Sequence, residues 1–205
     1  GLCMNDLQWN RRGHDHGVAL GRELDLTELH LHYNTGRHIS TNGAELADRI
    51  EQLVQQWPAT ITELNIVAHS MGGLVSRSAL HYGQQNKHQW PARLRKLVVL
   101  GTPHHGSPLE RGGNLLDRAL EISPYTAPFT ALGGIRSAGI TDLRYGYLVD
   151  GDWKVSRSNR KQRRRTRGGD NRRPTPLPTG IEYYALAASR AQGKNKLADA
   201  VVGDG

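Results

Sequence analysis

The chain has 205 residues, 37% of them hydrophobic, enough for one domain with a packed core. Its formal net charge is +8, but residues 154–173 hold ten Lys or Arg against one Asp, so that segment carries +9 and the remainder −1. This excludes a uniformly basic protein. The lone cysteine, Cys3, excludes an internal disulfide framework, and no run of about 18 apolar residues offers a helix that could cross a bilayer.

The chain opens Gly1-Leu2-Cys3-Met4, a start that reads as a cut, so the missing leader decides nothing about compartment. Cytoplasmic and membrane-associated locations both stay open. Residues 29–33 (L-H-L-H-Y) alternate apolar and polar and predict a strand. Asn42-Gly43-Ala44-Glu45 predicts a helix start, with Asn42 capping and Glu45 reaching back. Leu46, Ile50, Leu53, Val54 and Trp57 follow at helical spacing, and Pro58 predicts the stop. Residues 64–68 predict a short buried strand, and a helix carrying Leu74, Val75 and Leu80 is expected just after Ser70. Residues 97–100 and 181–188 predict two more strands. Strand, helix, strand, helix, strand is the order of a mainly parallel α/β sheet with crossover helices.

About 80 residues separate the last two strands, far more than an αβ connection needs. They predict a cap or lid inserted at 104–180 into a core made of 1–103 and 181–205. The cap holds one expected helix at 114–122. Its basic part, 154–178, is almost free of large apolar residues from 156 onward and predicts a mobile segment.

The chemistry is carried by Ile66-Val67-Ala68-His69-Ser70-Met71-Gly72-Gly73-Leu74-Val75. A strand runs into a small-x-Ser-x-Gly turn and then a helix, the pattern of a nucleophile elbow with Ala68 where Gly is commoner. Such a turn strains the Ser backbone and lifts its hydroxyl above the sheet at a helix N-terminus. Small residues two before and two after the Ser avoid clashes. The Met71 N–H and the helix dipole then stand ready for a developing oxyanion. The same residues would also serve a tight strand-to-helix turn with a solvated Ser.

This stretch resembles the elbow of lipase-like α/β hydrolases, the group that includes proteins similar to triacylglycerol lipases and GPI inositol-deacylases. The resemblance extends to Val98-Val99-Leu100-Gly101-Thr102-Pro103-His104-His105-Gly106-Ser107. It implies the α/β-hydrolase fold and a serine esterase or lipase acting through an acyl-enzyme, with Ser70 as nucleophile. It also implies an oxyanion loop that Gly1-Leu2 fits, so that Leu2 N–H would join Met71 as second donor. The family order is Ser, then acid, then His. Asp204, in Gly203-Asp204-Gly205, resembles the catalytic acid; Asp199, Asp150 and Asp152 compete less well.

All ten His lie at or before His105, so the general base is expected beyond residue 205. The 205 residues alone are therefore expected to be inactive or nearly so. His69 beside the Ser, and His104 and His105 after the strand, are assigned to the substrate-binding wall. His14, His16, His30, His32, His38, His81 and His88 read as surface or loop residues. No cluster has metal-ligand spacing, so no metal or cofactor is implied.

The run Arg160-Lys161-Gln162-Arg163-Arg164-Arg165-Thr166-Arg167 suits an anionic membrane surface. Without an aromatic residue to stack a base, it does not suit specific nucleic-acid reading; a solvated charged loop is the plain alternative. Two functions follow. One is ester hydrolysis of a small-molecule or lipid substrate. The other is a catalytically inactive scaffold of the same fold that binds lipid or a protein partner through the basic cap. Oligomeric state is not written in the sequence.

Overall fold

Three apolar runs become three parallel strands of one sheet: β3 (Leu64–His69), β4 (Leu94–Leu100) and β5 (Glu182–Leu186), ordered β3-β4-β5. The structure, a computed structural model, describes residues 9–104, 106, 137–158 and 172–187, with the backbone alone at residues 11 and 155–158. Parallel neighbours need a crossover. Helix α3 (Met71–Gln85) and a 3-10 turn (Trp90–Arg93) supply it between β3 and β4. Leu94, Leu97 and Val99 of the central strand are buried, and they meet Ala47, Ala68, Ala79, Leu80 and Trp90 in the main core.

Helix α2 (Ile39–Gln56) lies on α3. It buries Ile39, Gly43, Ala47 and Glu51, one residue per turn, as a close helix contact demands. The helices touch at Gly43, where an added Cβ would fall 2.2 Å from Ser78 Oγ. Leu46, Ile50 and Val54, on the predicted apolar face, pack against the main core, whereas Trp57 ends the helix 37% exposed. The buried Glu51 carboxylate accepts from the backbone N–H of Gln89 (2.8 Å) and Trp90 (3.1 Å) and so ties α2 to the turn before β4.

Three local expectations change. Helix α2 starts at Ile39, not at Asn42, because Asp142 accepts the Ile39 N–H at 2.8 Å and ends the helix from a distance. Asn42 instead donates from within the helix to Asn34 O at 2.9 Å, and Glu45 pairs with Arg37 at 2.6 Å. Residues 29–33 form no ladder with any described residue, and Leu29 and Leu31 are 60% and 49% exposed. Alternation makes a strand only where a neighbour takes its backbone groups. Finally, β1 (Asn10–Arg11) and β2 (His14–Asp15) form a small antiparallel hairpin. Arg12 and Gly13 turn it with φ of 54° and 80°, as a two-residue hairpin turn requires. Helix α1 (His16–Leu24) follows, capped by Asp15, which accepts from Gly17 N and Val18 N.

Within the span read as a cap, the structure describes α4 (Ala138–Tyr145) and α5 (Asp150–Ser158). The helix expected at 114–122 and the run from Arg160 to Arg167 lie outside the described residues. Both described helices are fastened to the core. Ser78 Oγ donates to Leu148 O at 2.7 Å, Asp150 N to Tyr82 Oη at 3.1 Å, and Trp153 Nε1 to Ser40 Oγ at 3.1 Å. Asp142 is fully buried and sits 3.0 Å from His38 Nδ1, whose ring stacks on Trp153 at 3.9 Å. His38, read from sequence as a surface or loop residue, is therefore part of the fastening. Residues 172–178, grouped by composition with the basic segment, are anchored at two points: Thr175 is buried and Arg173 N donates to Asp152 Oδ1 at 2.9 Å.

Burial raises the Asp142 carboxyl above its usual range, against the lowering effect of the Ile39 N–H and His38. A group raised in the folded state contributes stability that is present below its unfolded value and lost as pH rises through its folded value. The stability of the unsubstituted protein relative to Asp142→Asn should therefore decline as pH climbs from about 4. Asp142→Ala strands the buried Ile39 N–H and should cost about 3 kcal/mol. Urea unfolding of the three proteins between pH 4 and 7 checks both; a flat difference between wild type and Asp142→Asn removes the first.

Candidate functional site

The end of β3 runs straight into the start of α3, with Ser70 alone at the junction. Between them Ser70 takes φ 53° and ψ −123°, a backbone that L-residues adopt only under strain of about 1–3 kcal/mol. The turn is held to the neighbouring strand at several points. Ser70 N donates to Leu100 O at 2.9 Å, and Thr102 Oγ1 donates to Ser70 O at 2.9 Å. Gly101 N donates to Leu186 O at 2.8 Å, tying the next strand to the same edge.

A Ser at a helix N-cap ordinarily accepts from the first-turn N–H groups. Ser70 makes no such side-chain bond, so its hydroxyl is not spent on α3. The N-terminal end of α3 lies directly beside it, where partial positive charge gathers. Met71, the next residue, is fully buried in one apolar cluster with Ile39, Leu74, Val75, Leu143, Leu148 and Val149. The apolar surroundings keep the helix end in a low-dielectric place, where a dipole acts strongly.

The glycine pair divides its work differently from the sequence expectation. A Cβ at Gly72 would lie 3.6 Å from Ala68 Cβ and 3.9 Å from Tyr33 Oη, ordinary contacts. A Cβ at Gly73 would lie 2.2 Å from Thr102 Oγ1 and 2.9 Å from Thr102 Cβ. The small residue that the turn needs on its helix side is Gly73.

His69 ends β3, half-buried, and its Nδ1 is buried with no partner among the described residues. Burial holds its pKa below the usual imidazole range. His104 follows the β4 strand end. Arg77 Nη1 lies 3.3 Å from His104 Nδ1, and Tyr183 Oη meets Nε2. A guanidinium only donates, so Nδ1 accepts and the proton sits on Nε2, facing Tyr183. Both ring nitrogens are engaged, so neither is left open toward the Ser70 hydroxyl.

Asp152 accepts from Leu148 N, Val149 N and Arg173 N, and Asp150 pairs with Lys154 at 2.6 Å, so both are engaged in and around α5. Leu2, His105, Asp199 and Asp204 lie outside the described residues. Arg77, Tyr33 and the Asp142–His38 pair were not singled out from sequence. Arg77 and the Asp142–His38 pair are defined by partners far along the chain, and Tyr33 by the cluster its ring packs against, which no local pattern signals. Among the described residues no three His, Cys, Asp or Glu side chains converge as a metal site would, and no helix is long and apolar enough to cross a membrane.

The model of the PGAP1-like alpha/beta domain family matches residues 29–167. Among solved structures, the mature form of the Bacillus licheniformis lipase BlEst2 is similar at 23% identity and a TM-score of 0.54, with 94% of this chain set against 64% of that one. The propeptide form of the same lipase is similar at 23% identity and a TM-score of 0.55, over 94% and 35% of the two chains. The chain thus spans under two thirds of the length of the lipase it resembles. Comparison with curated proteins gives no match. The parallel sheet with flanking helices is the α/β-hydrolase fold expected from the sequence.

Proposed function

Because the chain belongs to the PGAP1-like alpha/beta domain family, we propose that it is the core of a serine hydrolase that cleaves carboxylic esters, with Ser70 as the nucleophile. The observation that carries this reading is the Ser70 backbone: φ 53° at the junction of a parallel strand and a helix, with its hydroxyl left uncapped. That is the conformation a nucleophile elbow needs. The likeness to a lipase supports a lipid ester as substrate.

In this reading Ser70 Oγ attacks the ester carbonyl, and its proton passes to a general-base His. Asp204 orients that His. The charge that develops on the carbonyl oxygen is met by the N–H groups of Met71 and Leu2 and by the α3 dipole. The alcohol leaves with the proton, and water then releases the acid from the acyl-Ser70. His69, His104 and His105 line the site. An anionic membrane surface met by Arg160 to Arg167 would bring a lipid ester to it.

A fluorophosphonate probe on the whole protein tests the reading. The tryptic peptide holding Ser70 is expected to gain the phosphonyl mass, and heat-denatured protein is not. A native protein that stays unlabelled at Ser70 favours the inactive scaffold instead.

A further inference from the structure

Tyr33 stands outside everything assigned so far. Its hydroxyl is buried and has no hydrogen-bond partner among the described residues. A buried hydroxyl left unpaired costs about 1–3 kcal/mol, so its retention calls for a partner that comes and goes or a role that repays it. The ring packs against the cluster that contains Met71, Leu74 and Ile39. The hydroxyl itself points to the first turn of α3, within 3.9 Å of where a Gly72 Cβ would be. Gly72 is two residues beyond Ser70 and one beyond the proposed oxyanion donor.

We propose that Tyr33 Oη donates a hydrogen bond to the carbonyl oxygen of an ester bound at Ser70, as a third donor beside the backbone N–H groups. This rests on the reading of Ser70 as nucleophile. The bond strengthens as negative charge develops on that oxygen, and the proton stays on Tyr33 throughout. Burial pushes the Tyr33 phenol up to about 12, so it remains a donor across the neutral range. A donor held by packing and unspent among the described residues needs no rearrangement when charge appears. Gly72 also fits this arrangement: without a side chain, it leaves the space next to the hydroxyl open.

Tyr33→Phe in the whole protein tests the proposal, with a p-nitrophenyl ester as substrate and Ser70→Ala as control. The kcat is expected to fall about 10- to 100-fold, with KM within about threefold, because the bond acts mainly in the transition state. The thermal midpoint is expected to hold or rise, because an unpaired buried hydroxyl has been removed. An unchanged kcat overturns the proposal. So does a lower kcat that comes with a clearly lower thermal midpoint, since that marks a structural bond to another part of the chain. Absence of Ser70-dependent turnover in the unsubstituted protein removes the nucleophile reading and this one with it; turnover that needs Ser70 but not Tyr33 removes this one alone.

Discussion

Ser70→Ala is expected to lower ester turnover by the whole protein about ten-thousand-fold or more, with stability within about 0.5 kcal/mol of the original. The two halves of that expectation have separate causes. The hydroxyl makes no capping bond to α3, so its loss removes no support from the helix. The strained φ belongs to the backbone and persists with alanine. Ser70→Gly, by contrast, should lose the same turnover while gaining about 1 kcal/mol, because glycine adopts positive φ without strain. Ester assays and urea melts on the pair separate chemistry from strain. Substantial turnover in either variant would remove Ser70 from its role.

The second large effect is at Gly73. Gly73→Ala drives a methyl into Thr102, a β-branched residue that is 2% exposed and has little freedom to turn away. We expect a loss of about 3 kcal/mol, at the upper end for overpacking. Turnover should fall as well, because Thr102 Oγ1 holds the Ser70 carbonyl and would be displaced. Gly72→Ala meets only ordinary contacts and should stay within about 1 kcal/mol of the original. Adjacent glycines with opposite sensitivities are checked by urea unfolding of the two variants. Equal losses would mean that the turn packs otherwise.

The segment from β3 through α3 was legible because its signals are local. A short apolar run, a small-x-Ser-x-Gly turn and a helical apolar face all fall within about twenty residues. The β4 and β5 strands were legible for the same reason, with ends shifted by a few residues. The start of α2 was not: Asn42 and Glu45 offered a local cap, and a carboxylate from α4 displaced it. Residues 29–33 had the right alternation, but strand formation depends on a neighbour that the pattern does not encode. The choice between Gly72 and Gly73 turned on Thr102, some thirty residues away. The Tyr33 hydroxyl was invisible because its interest lies in what surrounds it.

The distant cap on α2 has a consequence for how the protein is made. Asp142 closes the helix from 103 residues downstream of Ile39. A ribosome releases α2 long before it makes Asp142, so the nascent helix begins with its first turn open to water. Bringing the two ends together sets a loop-closure entropy on the order of 4 kcal/mol against the bond. Only a docked α4 offsets it, which makes the first turn of α2 a late event in assembly and a place where a stalled, half-made chain stays exposed to proteases.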